Sequence, residues 1–168
     1  LILRALFENY KGQIEVVGIN DLGSIEANAH LIKYDSTHGT LNYDVKTTKE
    51  GFQIRDQNIK VFAEKDPGKL PWGKIGADVV LECTGFFLDK PSAGKHIEAG
   101  AKKVIISAPA KEVDFTVVQG VNSKDLNKEH NIISNGSCTT NCLAPVAMVL
   151  ENNFGIEYGY MTTIHSYT

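Results

Sequence analysis

The segment best suited to chemistry is Asn135-Gly-Ser-Cys-Thr-Thr-Asn-Cys142. It joins the short apolar run Asn131-Ile-Ile-Ser134 to the apolar stretch Leu143-Ala-Pro-Val-Ala-Met-Val-Leu150, which puts Cys138 at or just inside the start of a helix. Unpaired backbone N–H groups and the dipole at a helix start favour an anion, the setting in which a thiol becomes a nucleophile. The same amides can hold an oxyanion formed by attack on a carbonyl. Ser137, Thr139 and Thr140 add hydroxyls beside the thiol and are better caps than helix formers. A capped helix carrying an inert cysteine is the plain alternative. Cys142, four residues on, shares that helix face, but such a pair is too few ligands for a metal. Cys142 and Cys83 read as buried structural cysteines.

A thiolate nucleophile needs a base that later serves as acid. His165 lies in a β-rich run, whereas His30, His38, His96 and His130 lie in helical or loop surroundings. From spacing alone His165 is either that base or an ordinary strand histidine.

These residues need a scaffold. Residues 1–10 read as a buried helix stopped by Gly12, 14–20 as a strand ending in Asn20-Asp21, and 25–34 as a second helix. Residues 39–59 suggest a hairpin broken at Gly51 and at Asp56-Gln-Asn58. A strand over 59–63 and a loop over 65–72 follow. Residues 78–83 form a continuous apolar strand of the kind buried on both faces of a parallel sheet. A helix over 90–99, closed by Gly100, and strands at 104–107, 115–119 and 131–134 complete the pattern. Residues 160–168 read as a strand that stops without a turn, and residue 1 is not Met. The chain is therefore expected to be a fragment or a partly determined sequence.

Strands alternating with helices predict an α/β fold, a Rossmann-like doubly wound, mostly parallel sheet. Such sheets bind ligands at the carboxyl ends of their strands, here Asn20-Asp21, Thr84-Gly85 and Ser107-Ala108. Asp21 fits a carboxylate that holds the ribose hydroxyls of an adenosine, or an ordinary turn residue or helix cap. The chain holds no Gly-x-Gly-x-x-Gly, so the fold alone leaves a dinucleotide site open.

The 168 residues are 42% apolar and 22% charged with net charge −3, ordinary for a globular protein. No charge run signals nucleic acid or a membrane surface, and no apolar run spans a bilayer. The start lacks the basic leader and cleavage site of a signal peptide. Three cysteines are too few for a disulfide framework and suit a reducing compartment.

The run Ser134-Asn-Gly-Ser-Cys-Thr-Thr-Asn-Cys142 resembles the active-site signature of glyceraldehyde-3-phosphate dehydrogenases, with Gly136 in place of the commoner Ala. The resemblance extends, in order and spacing, through Tyr34-Asp-Ser-Thr-His-Gly39, Trp72-Gly73, Glu82-Cys-Thr-Gly85, Lys103-Val-Ile-Ile-Ser-Ala-Pro109 and Thr163-Ile-His-Ser-Tyr-Thr168. It covers the whole chain and implies an N-terminal half. Residues 1–137 would be an NAD-binding Rossmann domain lacking its first Gly-rich loop, and 138–168 the first elements of an α+β catalytic domain.

The resemblance also implies roles. Cys138 matches the nucleophile and His165 its base. Ser137 and Thr139 fall at substrate-binding positions, and Thr168 at a phosphate-binding threonine. Asp21 matches the adenosine-ribose carboxylate, and Lys65 and Ser107 fall on further cofactor contacts, Lys65 where Arg is commoner. The implied reaction is NAD-dependent oxidation and phosphorylation of glyceraldehyde 3-phosphate by inorganic phosphate, through a Cys138 thiohemiacetal and thioester, to 1,3-bisphosphoglycerate. A cytoplasmic homotetramer of glycolysis or gluconeogenesis, with no resident metal, is implied with it. Asp21 would repel the 2′-phosphate of NADP. Leu22-Gly23 stands where many NAD-specific members have Pro after the Asp, so NADP stays open. The rival readings are an erythrose-4-phosphate dehydrogenase, which hydrolyses its thioester, and a non-catalytic nucleotide-binding protein or fragment.

Overall fold

Two parallel strands, each ending in a tied polar turn, carry the first half of the chain in a computed structural model that describes residues 1–10 and 12–166. The chain folds as two units, Leu1–Ala77 and Asp78–Thr168. The first begins with α1 (Ile2–Asn9), β1 (Gly18–Asn20) and α2 (Ile25–Lys33). The small pair β2 (Tyr34–Asp35) and β3 (Gly39–Thr40) comes next, then the meander β4 (Val45–Thr47), β5 (Gly51–Ile54) and β6 (Gln57–Phe62). A short 3-10 turn (Pro67–Lys69) and α3 (Trp72–Ile75) close the unit.

The sheet order is β1-β6-β5-β4, with β1 parallel to β6 and the rest antiparallel. The expected hairpin is thus present, turning at Arg55-Asp56. Arg55 there takes a φ of 55°, a left-handed conformation that costs a side chain energy. The expected strand over 14–20 is regular only from Gly18. Earlier, Val16 N–H donates instead to the Gln57 side chain at 2.9 Å. Phe7 from α1 and Ala29 from α2 pack with Phe52, Ile54 and Ile59, so both helices cover the sheet's apolar residues. Buried Arg4 donates to the Gly39 carbonyl at 2.9 Å and to the His38 carbonyl at 3.3 Å, tying α1 to the β2–β3 turn.

The second unit runs β7 (Val79–Glu82), α4 (Lys90–Glu98), β8 (Lys103–Ile106), β9 (Phe115–Thr116), a 3-10 turn (Ser123–Asp125), β10 (Ile132–Ser134) and α5 (Cys138–Phe154). Its sheet, ordered β7-β8-β10-β9, is parallel throughout. α4 is the crossover that a parallel β7–β8 pair requires. Asp89 caps it, accepting from Ser92 N–H at 2.8 Å. Ala93 of α4 packs on Val104, Ile106 and Ile132.

Two expectations change here. β7 was expected to be buried on both faces. Register places Val80 and Glu82 beside Val104 and Ile106, the residues α4 covers, whereas Val79 and Leu81 stay 48% and 41% exposed. Strand alternation therefore decides burial residue by residue. Residues 160–166 are irregular and exposed rather than a strand, because no neighbouring strand among the described residues supplies a ladder for them.

Candidate functional site

In the second unit, register sets the ends of the strands level. Glu82 pairs with Ile106 and Ile106 with Ser134, so the segments after β7, β8 and β10 leave from one edge. Ser107 N–H donates to the Glu82 carbonyl at 3.0 Å, and Asn135 N–H to the Ile106 carbonyl at 2.9 Å. That edge therefore carries Thr84-Gly85, Ser107-Ala108 and the loop into α5 side by side, as the carboxyl edge of a doubly wound sheet should.

The loop into α5 is fixed by its own side chains. Ser134 Oγ donates to the Ala108 carbonyl at 2.7 Å and accepts from Gly136 N–H at 3.0 Å. Gly136 takes a φ of 68°, which turns the chain from β10 toward the helix without a Cβ penalty. Ser137 is the N-cap, its hydroxyl accepting from Thr140 N–H at 2.9 Å. Asn141 Nδ2 donates back to the Asn135 and Ser137 carbonyls at 2.7 and 2.9 Å. Cys138 is consequently the first residue of α5, exposed, with the helix start beside its thiol. The expectation for its position holds.

His165 comes to the same helix start. Its Nε2 lies 3.4 Å from Thr139 Oγ1 and 2.8 Å from Thr163 Oγ1. No hydrogen bond joins it to Cys138 among the described residues. Ser107, Ser137, Cys138, Thr139 and His165 all belong to the second unit, whereas Thr168 lies outside the described residues.

Asp21 and Lys65 form a separate pair in the first unit. Asn20 ties the ends of β1 and β6: its Nδ2 donates to the Glu64 carbonyl and its Oδ1 accepts from Glu64 N–H, both at 2.9 Å. Asp21 and Lys65 follow these two residues directly, and both are exposed. Asp21 Oδ1 accepts from Gly23 N–H at 2.7 Å and from Asn28 Nδ2 at 3.3 Å. Among the described residues nothing bonds Oδ2, so a held carboxylate keeps one oxygen for a ligand diol. This exposed acid, at the carboxyl end of a parallel strand, fits the adenosine ribose of a dinucleotide.

Cys83 and Cys142 are exposed, not buried as expected. Alternation turns Cys83 away from the face that buries Glu82, and no residue of α5 is buried. Four supporting residues escaped the sequence reading: Asn28, Asn141, Glu82 and His96. The asparagines left a faint signal, since Asn in a first or second helical turn often bonds backbone outside the helix. Glu82, in the middle of an apolar run, is the stronger one, because a buried carboxylate requires a partner.

Among the described residues no helix is long and apolar enough to cross a membrane. Comparison with known proteins follows the same lines. A family model described as glyceraldehyde 3-phosphate dehydrogenase, NAD binding domain, matches residues 1–90. One described as glyceraldehyde 3-phosphate dehydrogenase, C-terminal domain, matches residues 137–168. A glyceraldehyde-3-phosphate dehydrogenase of Pseudomonas aeruginosa is 52% identical over 168 residues, 99% of this chain and 50% of the relative. One from Clostridium pasteurianum is 56% identical over 155 residues, 92% of this chain and 46% of the relative. Glyceraldehyde-3-phosphate dehydrogenase 1 of Bacillus subtilis is 52% identical over 99% of this chain and 50% of its own length. The chain spans about half the length of the curated relatives it matches.

Proposed function

The chain belongs to the glyceraldehyde-3-phosphate dehydrogenase family, and from that premise we propose that the protein oxidises and phosphorylates glyceraldehyde 3-phosphate with NAD. The carrying observation is the exposed Cys138 at the first residue of α5, with His165 brought to Thr139 beside it. Relatives bearing the family's name, 51–56% identical, support the reading.

Asp21 and Lys65 would hold the adenosine end of NAD and Ser107 a further part of it. When bound, NAD supplies the two-electron acceptor. The protein residues do the rest. His165 takes the Cys138 proton, in a contact that such bases complete with substrate in place. The Cys138 thiolate attacks the aldehyde carbon, and the Cys138 backbone N–H and the protonated imidazole stabilise the resulting oxyanion. Oxidation of this thiohemiacetal leaves a thioester on Cys138. Inorganic phosphate attacks its carbonyl carbon, the C–S bond breaks, and 1,3-bisphosphoglycerate leaves as the thiolate reforms. Ser137, Thr139 and Thr168 are the substrate-binding residues of this reading.

The division at 137/138 into cofactor and catalytic parts, a cytoplasmic homotetramer and a glycolytic role belong to the same proposal. NADP use stays within it, because Leu22-Gly23 follows Asp21 where many NAD-specific members have Pro. Reduced nicotinamide formation by the complete gene product is the test. Turnover of glyceraldehyde 3-phosphate that requires phosphate is expected. Faster, phosphate-independent turnover of erythrose 4-phosphate would replace this reading with the hydrolytic one.

A further inference from the structure

Glu82 and His96 are the most deeply buried titratable pair among the described residues, and the reaction outlined above does not use them. Their side chains keep 3% and 5% exposure, and His96 Nε2 stands 2.9 Å from Glu82 Oε2. Burial opposes the Glu82 charge most strongly. Hydrogen bonds from the His96 and Thr84 side chains and from Thr84 N–H outweigh it and hold the carboxyl below its ordinary range. An ionised carboxylate only accepts, so His96 Nε2 carries the proton and donates.

The other carboxylate oxygen reaches outward. Glu82 Oε1 accepts from Thr84 N–H at 2.7 Å and from the Thr84 hydroxyl at 2.5 Å. The Thr84 hydroxyl in turn accepts from Phe86 N–H at 3.1 Å. A continuous chain of bonds thus runs from His96, inside α4, through Glu82 to an exposed turn. Gly85 sits at that turn with a φ of 75°, and Phe86 is 84% exposed. The turn leaves from the same strand edge as Ser107 and the loop that presents Cys138. Since the Thr84 hydroxyl is engaged on both sides, the turn offers a ligand its backbone and whatever position that backbone is held in.

We infer that Glu82 and His96 are positioning residues for the cofactor, fixing the turn 84–86 at the strand edge where a dinucleotide lies beside Cys138. This deepens the NAD-dependent reading and rests on it. A carboxylate serves this purpose because it takes three donors on two oxygens. The His96 bond is made in a nearly dry site, where directional bonds hold position firmly, and the two Thr84 bonds lie part-buried at its edge. The consequence is specific: slackening the chain should weaken cofactor binding and leave the aldehyde site alone.

The test uses the complete gene product and measures KM for NAD, KM for glyceraldehyde 3-phosphate, and melting temperature. Thr84→Val keeps the shape and removes the hydroxyl. It removes the bond to the Glu82 carboxylate and the one from Phe86 N–H, and is expected to raise KM for NAD about tenfold or more, with KM for the aldehyde within about twofold. Thr84→Ser should restore the wild-type value. His96→Gln, which keeps a donor, should bind NAD better than His96→Leu. If His96→Leu does not fold, the Thr84 pair carries the comparison alone. A Thr84→Val enzyme whose KM for NAD stays within about twofold, or whose two KM values rise together, overturns the inference while the activity stands. A wild-type protein with no affinity for NAD overturns the reading beneath it, and this inference with it.

Discussion

Thr139 Oγ1 lies 3.4 Å from His165 Nε2, across 26 residues of sequence. The contact brings the one histidine of the C-terminal run to the start of α5, where Ser137 caps the helix and Cys138 opens it. Cys138, Cys83 and Cys142 are all exposed, so access does not distinguish them, and only Cys138 sits at a helix start with a histidine nearby. Iodoacetamide near neutral pH should therefore alkylate Cys138 first, with rates read site by site by mass spectrometry. His165→Asn should slow that labelling and lower kcat by roughly 10²- to 10⁴-fold, the usual worth of a general base. Equal labelling of the three cysteines would end the claim of an activated thiol.

The Asp21 carboxylate is held by one oxygen, through Gly23 N–H and Asn28 Nδ2. Asp21→Ala removes the acceptor for a ribose diol and the charge that repels a 2′-phosphate. KM for NAD should rise roughly ten- to a hundredfold, as loss of a charged hydrogen bond does. KM for NADP should change far less. Steady-state kinetics with both cofactors checks this, and a parallel loss for both would mean that the residue only shapes its turn.

Much of this was legible in sequence because the signals were local. Apolar runs, turn residues and the capping residues around Cys138 located β7, α4, β10 and α5. What failed to show was long-range. Whether Val79 and Leu81 are covered depends on what packs on each face of the sheet, not on their run of apolar neighbours. Whether 160–166 forms a strand depends on a partner that no local pattern names. The Glu82–His96 pair joins a strand to a helix 14 residues on, and periodicity is blind to it. The setting of His165 leaves base and ordinary strand histidine both open, the family resemblance assigns it as the base, and its proximity to Thr139 is a tertiary fact.

Gly51 pairs with Lys60 across β5 and β6, and a Cβ built there would drive into the Ile59 carbonyl and reach within 2.9 Å of Val61 N. Both are backbone atoms of the adjoining strand, so neither moves without breaking the ladder. Gly51→Ala should cost about 2–3 kcal/mol, the upper part of the range for overpacking. Urea titration followed by circular dichroism measures it. A loss under about 0.5 kcal/mol would show that β6 can shift.

Asp114 supplies a pH dependence whose sign can be worked out. The Lys90 ammonium at 2.6 Å, then Ile132 N–H at 2.9 Å and Asn131 N–H at 2.8 Å, lower its carboxyl to about 2 from 3.8 against the opposing effect of burial. A carboxyl depressed in the fold stabilises the protein fully above its unfolded value. That stability is lost as pH falls from about 4 through about 2. Asp35 and Glu82 are depressed as well and add loss of the same sign. Lys90 is half exposed, so water screens the pair, and the contribution is about 1 kcal/mol. Asp114→Asn should therefore unfold at lower urea than wild type at pH 7. The gap should narrow toward pH 2, where the wild-type carboxyl has taken up its proton. Urea midpoints measured at half-unit steps between pH 2 and pH 5 follow the gap directly. A gap that stays constant across that range would mean that the Asp114 charge does not stabilise the fold, and that its oxygens act there only as neutral acceptors for the β10 backbone.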